Sequence, residues 1–185
     1  MNRSSLILLA LICVGCGPSP VAEVPEGPPG QINTDFTRLP QVLSGVQKSA
    51  EVWLYEGLPG DFWEPELREQ ELKQKPTVRM HGYPVYEELP TVEATDAGTL
   101  TELLSTPDSY EPLSGGKKCG GFQLEYCIEW STAGAFIQAL VCLECGEVKI
   151  YSPRGELHCD ISRVAAERLK EILSQYRVNR PVPEL

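Results

Sequence analysis

The chain has no apolar run long enough to cross a bilayer: Leu6 to Val14 is the longest near the start, roughly half of the ~20 residues a spanning helix needs. Histidine is scarce, with only His81 and His158, and no G-x-S-x-G nucleophile elbow accompanies them, so serine-hydrolase chemistry of that kind has no support. Positive charge is also short, with 16 Lys and Arg against 26 Asp and Glu for a formal net charge of −10, and no basic cluster exceeds Lys117-Lys118. A surface of that sign repels phosphate backbones, which excludes nucleic acid as an expected partner. Beyond Cys13-Val-Gly-Cys16 near the start, no second Cys-x-x-Cys accompanies Cys142 and Cys145, and Cys119, Cys127, His158 and Cys159 stand outside any such pair, so the spacing writes half a zinc knuckle and not a whole one. SGGKKCGG lacks the G-x-x-x-x-G-K-[ST] spacing of a phosphate loop and opens a strand instead of a helix.

What is present begins with MNRSSLILLALICVGC: one cation at Arg3, an apolar stretch, then Gly15 before Cys16, the order of a secretory signal. A signal that ends in a small residue followed by cysteine resembles a bacterial lipoprotein signal. Cys13 departs from that pattern, which usually has an aliphatic residue there, and no A-x-A-like site follows the apolar run. The resemblance implies that Cys16 is lipidated, becomes the mature N-terminus and anchors the protein to a membrane. Gly17 follows, with no aspartate to act as an inner-membrane retention signal, so the outer membrane is the favoured location within the cell envelope. Beyond it, GPSPVAEVPEGPPGQINTDFTRLPQVLSGVQK is rich in Pro and Gly and reads as a tether. At about 3.1 Å per residue, a tether of roughly 30 residues reaches about 90 Å. The expected organisation is a signal over residues 1–15, lipidated cysteine and tether over 16–48, one domain over 49–181 and a short tail over 182–185.

Within the domain the pattern predicts an α+β fold, an antiparallel meander sheet packed by a C-terminal helix. VWLYE, Val52 to Glu56, is strand-like, and DFWEPELREQELKQKP predicts a solvated helix between Pro65 and Pro76. Val78 to Tyr86 resumes a strand, placed at an edge by Gly82 and Pro84. Thr95 or Asp96 is placed to cap a short helix bearing Leu100, Leu103 and Leu104. Phe122 to Trp130 alternates Phe122, Leu124, Tyr126, Ile128 and Trp130 against Gln123, Glu125, Cys127 and Glu129, so one face goes to the core and the other to water. AFIQALVCL is apolar on both faces, as a central strand is, and EVKIY makes a third. Asp160 is expected to cap the last helix, with a stripe of Ile161, Val164, Ala165, Leu169, Ile172 and Tyr176.

Seven cysteines occur. With Cys13 removed and Cys16 lipidated, five remain, an odd number, so complete internal pairing is excluded. Cys142-Leu-Glu-Cys145-Gly146 has the spacing of half a zinc knuckle, and the candidate metal ligands are Cys119, Cys142, Cys145, His158 and Cys159. A disulfide tying the Cys119 loop to the Cys142 region is built as easily. Thioredoxin-type redox chemistry needs its cysteines at a helix N-terminus, whereas this motif leads into a strand. Glu125 and Glu129 share a strand face and Glu144 and Glu147 flank the knuckle; a solvated face accounts for them without a catalytic role.

KCGGFQLEYCIEW followed by VCLECGEVKIY resembles a group of uncharacterised bacterial envelope proteins, many with lipoprotein signals, that carry a Cys-x-x-Phe segment, an alternating strand and a Cys-x-x-Cys before a valine-rich strand. The resemblance covers about Lys118 to Arg180. It implies no established activity, ligand or catalytic residue, and it points to Cys119, Cys142 and Cys145 as the more meaningful cysteines. Three functions stay open on the sequence. The first is a lipid-anchored, non-catalytic binding or scaffolding domain with a protein or small-molecule partner and no cofactor. The others are a zinc-binding domain and a thiol-disulfide oxidoreductase.

Overall fold

The computed structural model describes residues 32–46, 51–115, 117, 120–132 and 135–181. In chain order it has α1 (Leu39–Leu43), β1 (Glu51–Glu56), α2 (Pro65–Gln74), β2 (Thr77–Met80), β3 (Tyr83–Tyr86), α3 (Ala94–Ser105), β4 (Tyr110–Glu111), β5 (Tyr126–Thr132), β6 (Ala135–Cys142), β7 (Glu147–Ser152), β8 (Gly155–Ile161) and α4 (Arg163–Leu173). Six strands form one sheet in the order β1-β5-β6-β7-β8-β4. Every pairing in it is antiparallel. The meander β5–β6–β7 is the one expected from the apolar runs, and the fold is α+β with α4 on the sheet.

The sheet is covered on both faces. Tyr126, Ile128 and Trp130 of β5, Val148 and Ile150 of β7, and Leu157, Cys159 and Ile161 of β8 join one cluster with Leu39, Val42 and Leu43 of α1, Leu100 and Leu104 of α3, and Ala165, Leu169 and Ile172 of α4. Leu169 is wholly buried, so truncating it to alanine costs about 3 kcal/mol. The Trp130 indole N–H, which must be satisfied when buried, donates to Thr101 Oγ1 at 3.0 Å. On the opposite face Tyr55, Cys127 and Leu140 pack with Leu124 and with Met80 and Val85 from the separate β2–β3 hairpin.

That second layer changes several expectations. Cys127 and Glu129 do not face water: the hairpin side buries both. Phe122 and Leu124 leave the alternation, since β5 begins only at Tyr126 and both pack on the hairpin side. Val78 to Tyr86 is two strands, joined by His81 (φ 50°) and Gly82 (φ 85°). Two consecutive left-handed residues form the tight turn whose twist matches a hairpin. Asp160 belongs to β8, a fourth meander strand, and Ser162 precedes α4 instead. Val164 is 71 % exposed and lies off the buried stripe. Glu93, not Thr95 or Asp96, precedes α3, and Asp96 accepts from the Tyr176 hydroxyl at 2.6 Å.

The stretch read as tether is folded over part of its length. Phe36–Arg38 forms a 3-10 turn that runs into α1, Leu39, Val42, Leu43 and Val46 are buried in the helix-side core, and Asn33 C=O accepts the His158 N–H at 2.7 Å. These apolar residues recur at i, i+3, i+4 and i+7, one face of a helix.

Candidate functional site

Strand register assembles a row that no local motif contains. Trp53 pairs with Glu129, Glu129 with Gln138, Gln138 with Tyr151 and Tyr151 with Glu156. Registered partners point to the same face of a sheet, so these five side chains cross β1, β5, β6, β7 and β8 in one line on the hairpin side. Phe136, two residues before Gln138 on the same face, is 45 % exposed, and Trp53 is 39 % exposed.

The hairpin turn sets one wall of the site. His81 lies flat on Tyr151, ring centroids 3.4 Å apart and planes 6° from parallel, and its Nε2 is 2.5 Å from Gln138 Oε1. Gln138 Nε2 donates in turn to the Glu129 carboxylate. Burial holds the His81 imidazole below its ordinary pKa, against the opposing pull of Gln138 and Glu156, so the ring is neutral at neutral pH. Burial raises Glu129, and the bond from Gln138 offsets part of the shift. His81, Phe136, Gln138, Tyr151, Pro153 and Glu156 line an open groove of about 610 Å³.

One row further into the hairpin's cover lies a polar cluster that contains the sequence candidates. His158 Nε2 is 2.9 Å from Glu147 Oε2. Lys117 Nζ donates to Asp160 Oδ1 at 2.6 Å and to Cys145 C=O at 2.8 Å, and lies 3.6 Å from Glu147. Ser114 N–H reaches Asp160 Oδ2 at 3.0 Å. Lys149 Nζ donates to the Tyr83 hydroxyl at 2.6 Å and sits over the Phe122 ring at 4.5 Å. Burial pulls Asp160 upward, but its bonds to Lys117 and Ser114 prevail and leave it below the usual range. Burial lowers both His158 and Lys149. Each charge in this cluster meets a partner, the arrangement of a clamp holding Ser114, Lys117 and Phe122 against β7 and β8.

The cysteines divide by face. Cys142 pairs with Glu147 and faces the hairpin side, whereas Cys159 sits in the helix-side core, so the structure does not bring these two together. His158 lies on β8, two strands from β6. Cys119 and Cys16 lie outside the described residues. Cys127, Cys142 and Cys159 are free thiols, while Cys145 is disulfide-bonded. The Cys145 N–H is 3.3 Å from Cys142 Sγ, and Cys145 Sγ lies 3.3 Å from Gly121 O. Burial pushes the Cys142 thiol up to about 11 and Cys159 up to about 12. Thiols held so high are poor nucleophiles at neutral pH.

Among the described residues no group of three or more His, Cys, Asp or Glu is arranged to hold a metal ion. Glu125 accepts the Glu144 N–H at 2.9 Å and Glu129 is bonded to Gln138, so the two acids once grouped on one face serve different local bonds. The geometry sets aromatic rings and a carboxylate along one open groove, beside a buried polar cluster. No helix among the described residues is long and apolar enough to cross a membrane. No known protein family, curated protein or solved structure matches the chain.

Proposed function

We propose that this protein is a non-catalytic binding domain held in the bacterial cell envelope by a lipid on Cys16, with the outer membrane as the favoured site. Its recognition surface is the groove between the β2–β3 turn and the row from Gln138 to Glu156. The supporting observation is the convergence, on adjacent strands of one sheet and the hairpin turn beside them, of an exposed phenyl ring, a stacked His81–Tyr151 pair and the Glu156 carboxylate. Sites built on strands hold their geometry better than sites on loops. The acidic composition disfavours anionic ligands there.

The test is backbone-amide NMR of the purified protein against a panel of short basic peptides, acidic peptides and neutral oligosaccharides. Binding that shifts Phe136, Gln138, Tyr151 and Glu156 is the expected result. Shifts confined to other surfaces, or a hydrolytic turnover abolished by Glu125→Gln or Glu129→Gln, would overturn it. Anchoring is read separately: Cys16→Ala should abolish palmitate labelling and release the protein from the membrane fraction.

A further inference from the structure

We infer that the groove takes a basic segment of a protein partner, with an arginine or lysine stem against Phe136 and its cationic head at Glu156. This rests on the groove being the recognition surface. Among the described residues Glu156 makes no side-chain hydrogen bond or ion pair, while Glu129 is bonded to Gln138 and Gln138 to His81. No lysine or arginine among the described residues lines the groove. One half-exposed carboxylate is thus available for charge-assisted hydrogen bonds from a guanidinium or ammonium group.

Phe136 supplies the second contact. Its ring is 45 % exposed in the same groove, and an aromatic face attracts a cation while the apolar stem of Lys or Arg covers the ring. The occupant is a macromolecular segment because the groove is open along its length: a small ligand is normally enclosed over most of its surface, whereas a peptide needs only one or two anchored side chains. The net charge of −10 draws a basic partner toward the domain and repels an acidic one.

Calorimetric titration of the purified protein with hexa-arginine, hexaglutamate and chitohexaose, with backbone-amide NMR of the same mixtures, tests the assignment. Hexa-arginine should bind and hexaglutamate should not. Glu156→Gln and Phe136→Ala should each weaken hexa-arginine binding about tenfold. Glu69→Gln removes the same charge from an exposed position on α2 and should change binding by about twofold or less. Equal weakening by Glu69→Gln and Glu156→Gln means diffuse charge attraction and overturns the site. Groove resonances that move with chitohexaose and not with hexa-arginine overturn the cationic ligand while leaving a recognition groove. No groove shift with any probe overturns both readings.

Discussion

The Asn179 backbone N–H donates to Glu56 Oε2 at 2.6 Å, pinning the chain after α4 to the edge strand β1. The same carboxylate accepts from Val178 N–H at 3.1 Å and Arg180 N–H at 2.9 Å, and Glu56 is 1 % exposed. A buried acid in a strand is costly unless it is satisfied, and here three backbone donors satisfy it. Glu56→Ala should destabilise the domain by about 2 kcal/mol or more, read by urea denaturation. An unchanged midpoint would show that the tail is not held this way.

Lys117 spans Asp160 and Cys145 C=O. Replacing it by Gln leaves Asp160 without its cation, and the expected loss is about 2 kcal/mol, discounted for the partial exposure of the lysine. Asp160 is held below its ordinary pKa of 3.8, so its contribution is present above that value and is lost as pH falls through the lower folded value. Lys117→Gln should therefore shrink the acid-induced loss of stability, which a pH series of thermal midpoints will show.

Cys127, Cys142 and Cys159 are buried free thiols with raised pKa values. Native protein should resist iodoacetamide at these three positions, and denatured, unreduced protein should label at all three. Cys145 should label only after reduction. Mass spectrometry of the alkylated peptides reads each position, and labelling of native Cys142 would restore a reactive-thiol function.

His81 combines a left-handed backbone with a buried ring. Asn tolerates that conformation and suits the turn, so His81→Asn should keep the hairpin. The folded pKa lies below the ordinary 6.5, so the denatured chain takes up the proton first. Stability tied to the neutral ring is full above about 6.5 and falls as pH drops toward the folded value. Wild-type protein should thus lose stability relative to His81→Asn on acidification below about pH 6.5; parallel curves would contradict this.

Periodicity made part of this fold legible. Tyr126, Ile128 and Trp130 alternate and do face the helix-side core, and α2 lies between the two prolines expected to bound it. Two elements were written in the sequence but masked by stronger local signals. Leu157, Cys159 and Ile161 alternate with Glu156, His158 and Asp160 as a strand does, yet Asp160 also looks like a helix cap. Leu39, Val42, Leu43 and Val46 have helical spacing, hidden by Pro40 and the neighbouring Pro/Gly composition. The row from Trp53 to Glu156 lay beyond sequence reading for a different reason. It depends on register across four strand pairings, and a slip of one residue would send each side chain to the other face.

The docking of α1 also fixes how the molecule is presented. The described chain enters the domain over β7 and β8 on the helix side, whereas the groove opens on the hairpin side. A domain suspended from a lipid on Cys16 would hang by one flank and show its opposite flank outward. With Asn33 fixed to β8, a chain running from a lipidated Cys16 would reach about 60 Å at most if fully drawn out. Under that anchoring, whatever the groove captures would approach from the side turned away from the point of attachment.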